Sequence, residues 1–257
     1  MFVIDGQRRC LARLLPRSVF AGLFVLATGI GQSASAAPPD DTDFLFRLGM
    51  LEGHLMVGHE LLAAGKPGLA LPHFGHPVRE LYDDISDYVA AKRIKPFDTQ
   101  LIKLEAAVAG APTTSETEAL FQATLKTVQQ ARLTAPAALR DSVPAMIKIC
   151  SDTIDAAAGE YGESFNRGRI DLIVEYHDSR GYLSYVAQEA QALAQSHADP
   201  ASQRLLARFR TVLAKAQWIV EPLMPAATPR ASIAQYRTIA AEAASLTNAG
   251  AVQAAAP

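Results

Sequence analysis

Cysteine is nearly absent. Of 257 residues only Cys10 and Cys150 carry a thiol, and Cys10 falls in an N-terminal segment read below as a leader. A single remaining cysteine excludes an intramolecular disulfide, a CxxCH haem attachment and a cysteine cluster for zinc or iron–sulfur. Cys150, in the run Ile147-Lys148-Ile149-Cys150, reads as a small buried apolar residue. A glycine-rich phosphate loop and the GxSxG elbow of serine hydrolases are also missing. No nucleophile–base arrangement stands out, which argues against a hydrolytic enzyme. Strand-like alternation of Val, Ile, Thr and Tyr is sparse, and no Asn-Gly pair marks a hairpin.

One apolar run is present, Val19–Ile30, preceded by Arg8, Arg9, Arg13 and Arg17 and followed by Ala34-Ser35-Ala36. It is short for a membrane span. A basic start, a short apolar stretch and a small-x-small end are the parts of a secretory signal, so residues 1–36 are expected to be cleaved and the product to be periplasmic or secreted. Arg8-Arg9 resembles a twin-arginine pair, although an arginine-rich start yields one by chance and the apolar stretch begins well downstream. Without residues 1–36 the chain has 20 basic and 25 acidic side chains. That balance leaves no footprint for nucleic acid or an anionic membrane surface.

From residue 37 onward the pattern is helical almost throughout. The expected fold class is all-α: a bundle of about seven or eight helices built from antiparallel hairpins over 37–247, with a disordered tail over 248–257. Asp41–Asp43 cap a first helix from Phe44 to about Ala64. Pro77 reads as the first residue of a helix capped by His76, which leaves His73 in a short preceding turn. Ser115 with Glu118 reads as a capping box. Further helices are expected over about 145–166, 171–196, 200–221 and 233–244. The hairpin 51–82 carries Gly58, Ala70 and Phe74 at the spacing of one tetratricopeptide unit, but no 34-residue repetition follows.

Chemistry concentrates in histidine. His54, His59, His73 and His76 fall within 23 residues. Imidazole is the commonest metal ligand and titrates near neutral pH. His54 lies on an apolar helix face with Gly58 one turn on, and His177 repeats that arrangement with Gly181. Such glycines leave space for a metal, a bound molecule or a closely approaching helix, or else the histidines are merely satisfied core residues. His59 points about 140° away from His54, and His59-Glu60-Leu61-Leu62-Ala63 lacks the second histidine of a zinc-protease HExxH. His76 and Glu80 form a local ligand pair that His73 could complete; the alternative is a cap and a first-turn acid. Glu163 and Tyr161 are expected to fold back toward His177 across the turn at Gly168. Asp178 and Arg180 read as solvated or inter-helix ion pairs.

An exported, all-helical chain with the block His54–Glu80 resembles the imelysin and iron-uptake-lipoprotein-like group of periplasmic proteins. Those bind metal through a His-x-x-Glu pair, whereas His76 and Glu80 stand four apart. The resemblance implies a periplasmic metal-binding protein, and inward histidines and carboxylates in a helical bundle suit iron, copper or zinc. The candidate ligands are His54, His76, Glu80, His177 and Glu163. Non-covalent haem between helices stays open, and the alternative function is a non-catalytic scaffold of tetratricopeptide-like hairpins that binds a protein partner. The two readings differ on one point: only the first needs histidines to converge.

Overall fold

The computed structural model describes residues 40–254, and the chain there is all-α. The expectations for residues 1–36 and 255–257 lie outside this range. In chain order the helices are α1 (Asp41–Ala63), α2 (Pro67–His76), α3 (Tyr82–Ala91), α4 (Asp98–Gly110), α5 (Ser115–Arg132), α6 (Ala137–Arg140), α7 (Val143–Glu163), α8 (Ile173–Ser196), α9 (Pro200–Ile219) and α10 (Ile233–Ala254). Between α2 and α3 a π-helical turn spans Pro77–Leu81. Among the described residues no helix is long and apolar enough to cross a membrane.

Side-chain oxygens start several of these helices by taking up otherwise unpaired first-turn N–H groups. Asp40 accepts from Thr42 and Asp43, Ser142 from Ala145, and Asp199 from Ser202 just before Pro200. On α5 the cap is Thr114, accepting from Thr117, one residue before the expected Ser115. Gly65, in the left-handed region at φ 70°, closes α1: its N–H reaches the Leu62 carbonyl and that of Lys66 reaches Leu61. The helix α10 runs beyond its expected end near residue 244 into the alanine-rich segment after 247, whose composition favours helix.

Two departures concern turns. Between α7 and α8 a two-residue hairpin pairs β1 (Phe165–Asn166) with β2 (Arg169–Ile170). Its turn residues Arg167 and Gly168 both have positive φ (51° and 78°), the pattern of a type I′ turn made without Asn-Gly. Pro77 does not begin a helix after a turn. Its ring cannot donate to the carbonyl four residues back, and the chain widens into the π turn instead of stopping. His73 and His76 therefore lie on α2, three apart and on adjacent positions of one face, where a turn and a cap were expected.

The long helix α1 lies at the centre. It packs on α8, α2, α7 and α5, and is buried nearly all round from Phe44 to Leu61. The helix α8 packs on both α1 and α7, which places its middle turns, Tyr176 to Val186, in the core.

Candidate metal centre

Glycine sets how closely the central helices approach. A Cβ on Gly53 would lie 2.9 Å from the Gly181 carbonyl, and one on Gly181 would lie 2.9 Å from Val57 Cγ1 and from the carbonyl carbon of Gly53. Gly49, one turn before Gly53, is filled by the ring of Tyr185. At Gly58 the space is taken by the Phe74 ring and the Cβ of His73, so this glycine seats α2 against α1. Of the uses considered for the glycines beside His54 and His177, close helix approach is the one the fold makes.

These approaches bring three histidines onto one carboxylate. Asp178, on α8, is 3% exposed. Its Oδ1 lies 2.7 Å from Nδ1 of His54 on α1 and 2.7 Å from Nδ1 of His73 on α2. Its Oδ2 lies 3.3 Å from Nδ1 of His76. The His54 ring centre is 6.2 Å from that of His73 and 5.3 Å from that of His76. One donor atom each from His54, His73 and Asp178 fall within 4.8 Å of one another, a group that could hold a metal ion.

The hydrogen bonding around the group is incomplete. His73 Nδ1 donates to Asp178, but its buried Nε2 has no partner among the described residues. His54 Nδ1 touches Asp178 without the alignment that a hydrogen bond needs, and has no other partner among the described residues. On its other side His54 Nε2 is 3.0 Å from the Tyr182 hydroxyl. Unpaired buried nitrogens are costly and call for an explanation.

Electrostatics follow from the same packing. Burial would raise the Asp178 carboxyl, but His54, His73 and His76 outweigh it and hold the group well below the usual carboxylate range. Burial lowers His73 and so favours its neutral, ligating form, against the pull of Asp178. His76, a quarter exposed at the edge of the group, is raised by its contact with Asp178. Glu160 on α7 is pushed up to about 7, first by burial and then by the charges of Asp178, Glu163 and Glu175.

The other candidates lie around this group. His177 is fully buried on α8, and its Nε2 donates to the Leu223 carbonyl at 2.8 Å. It meets the group through His73, their ring centres 5.5 Å apart. Glu80 is exposed on the π turn, one of the charges acting on His76. Glu163 is exposed at the end of α7 and joins no described hydrogen bond to the group. Tyr161 does face α8, its ring 6.4 Å from that of Tyr176, but its hydroxyl serves the Ala231 carbonyl. His59 stacks on Phe121 and pairs with Glu118.

Asp178 is the main correction. Expected in a solvated or inter-helix ion pair, it does pair between helices, but buried, and as the hub on which three histidines converge. A signal was present: Asp178, Gly181, Tyr182 and Tyr185 stand at i, i+3, i+4 and i+7, one buried stripe of α8. Arg180 does form the expected inter-helix pair, gripping Glu60. It also donates to the carbonyls of Val220 and Glu221, while Tyr176 donates to Pro222, so α8 holds the segment after α9.

No family model, curated protein or solved structure matches the chain.

Proposed function

We propose that this protein binds a transition-metal ion through His54, His73 and Asp178, with His76 as the ligand nearest solvent, and that it acts as an exported metal-binding or metal-handling protein. One observation carries the reading: three imidazoles turn the same nitrogen, Nδ1, toward a single carboxylate that is almost wholly buried. A carboxylate taken almost wholly out of water is costly, and a divalent ion among the rings would supply charge of the opposite sign. Three imidazole nitrogens and one carboxylate oxygen form a borderline donor set, suited to zinc, iron or copper and poorly suited to calcium or magnesium. The backing of His54 by Tyr182 is the outer-shell contact that orients a ligating ring. The leader-like segment 1–36 supports the periplasmic part of the proposal, as does the imelysin-like outline. Convergence of the histidines favours metal binding over the scaffold reading.

The test is elemental analysis and titration of the full chain with Zn(II), Cu(II) and Fe(II) after chelation. Wild type is expected to take up one ion per chain. His54→Ala, His73→Ala and Asp178→Asn should each weaken uptake more than tenfold. Equal uptake by wild type and all three variants would sink the assignment.

A further inference from the structure

We infer that His177 is a positioning residue of the metal centre: with an ion on His73 Nδ1, His73 donates its Nε2–H to His177 Nδ1, and His177 donates to the Leu223 carbonyl. This rests on the metal reading above and says how the centre is oriented and where it is tied to the fold.

The inference begins from two unpaired nitrogens. Among the described residues, His73 Nε2 and His177 Nδ1 both lack a hydrogen-bond partner, on side chains with no solvent exposure. A carbonyl only accepts, so the 2.8 Å contact with Leu223 puts the hydrogen of His177 on Nε2 and leaves Nδ1 as a bare lone pair. A carboxylate likewise only accepts, so the 2.7 Å bond to Asp178 puts the hydrogen of His73 on Nδ1 and leaves Nε2 bare. Two neighbouring rings thus present acceptors and cannot bond to each other.

An ion on His73 Nδ1 removes that mismatch. The metal takes the position of the Nδ1 hydrogen, and the neutral ring carries its remaining hydrogen on Nε2, with no net loss of a proton. Two bare acceptors on neighbouring rings become one donor and one acceptor. The ring centres are 5.5 Å apart at an interplanar angle of 68°. With each nitrogen about 1 Å from its ring centre, nitrogens turned fully toward each other would stand about 3.5 Å apart, so the bond needs the rings to turn toward each other and to close by about 0.5 Å. One tautomer change satisfies both orphans, and only if Nδ1 is the ligating atom. His54 follows the same plan, with Nδ1 toward Asp178 and Nε2 backed by Tyr182. The chain metal–His73–His177–Leu223 would anchor the centre to the segment that Arg180 and Tyr176 also hold.

The experiment uses the full chain with Zn(II) as probe and a chromophoric chelator as competitor. His177→Leu keeps bulk but offers neither acceptor nor donor, and should weaken zinc binding about 10–100-fold. His177→Gln keeps a carbonyl for His73 and an N–H for Leu223, and should restore binding to within a few-fold of wild type. Nitrogen-15 spectra of histidine-labelled wild type provide a readout that needs no variant. Zinc should move His73 from the Nδ1–H to the Nε2–H tautomer, with its Nε2 proton shared with His177. Zinc binding by His177→Leu as tight as wild type would overturn the inference while leaving the metal centre standing. So would a His73 that keeps its Nδ1–H when zinc is bound. Wild type that takes up no zinc, copper or iron would overturn the metal reading and this inference together.

Discussion

Gly181→Ala places the helix crossing beneath the centre under direct test. In a helix interior, glycine to alanine ordinarily stabilises by about 0.5–1 kcal/mol, because the backbone loses freedom in the unfolded chain. At Gly181 the added Cβ would stand 2.9 Å from Val57 Cγ1 and from the Gly53 carbonyl carbon. Backbone on a neighbouring helix cannot rotate aside, so α1 and α8 must separate, an overpacking cost of about 1–3 kcal/mol. The expected net is a loss of about 1–2 kcal/mol after the propensity gain is subtracted. For a chain of this size that lowers the melting temperature by about 2–8 °C. Gly159, inside α7, is the internal control: among the described residues a Cβ there meets nothing within 4 Å. Gly159→Ala should therefore raise the melting temperature by about 1–4 °C. The two variants also part on zinc affinity, since only the first moves Asp178 away from His54. Thermal melts with and without zinc read both effects. A Gly181→Ala chain as stable as Gly159→Ala would refute the close crossing.

Two further expectations concern charge. The folded-state pKa of Glu160 is raised to about 7 from an ordinary 4.5, so between those values the fold holds a proton that the unfolded chain has released. Stability from this group therefore falls as pH rises through that window, and the full penalty stands above pH 7. Glu160→Gln should gain about 1–2 kcal/mol at pH 8, discounted for partial exposure, and nothing at pH 4, by urea titration of metal-free protein. An equal gain at both pH values would show that its charge is not the cause. Arg132 pairs with Glu189 and lies 3.9 Å from the wholly buried Glu52, which Gln129 and Gln188 also hold. Arg132→Met should cost about 3–5 kcal/mol by leaving both carboxylates without their cation. Glu52→Gln in the same background should recover part of that loss, and no recovery would place the cost in packing instead.

Much of the architecture was legible because the signals are local. Helix starts at Asp199-Pro200 and near Asp40, and the glycine stop at Gly65, depend on residues within a turn of one another. His54 and His177 drew notice through the glycines four residues on. Gly49 and Gly53, spaced one turn apart on α1, held a further signal that only their fit against Tyr185 and Gly181 makes plain. The prolines misled for a physical reason. Pro77 suits a helix start, but an apolar neighbourhood in α1 and α4 rewards continuing the helix, and the π turn absorbs the missing hydrogen bond.

By itself, then, the sequence determined that the chain is all-α, where most helices begin and end, and that His54 and His177 lie on apolar helix faces. Periodicity and capping require nothing beyond a helix's own turns. Only the tertiary structure decided which inward residues meet. Asp178, His54, His73 and His76 come from α8, α1 and α2, and their meeting depends on where those helices cross and how closely glycine lets them approach. A carboxylate one residue after His177 reads along the chain only as a member of a solvated or inter-helix ion pair. It becomes a hub because a second and a third helix cover it with imidazoles.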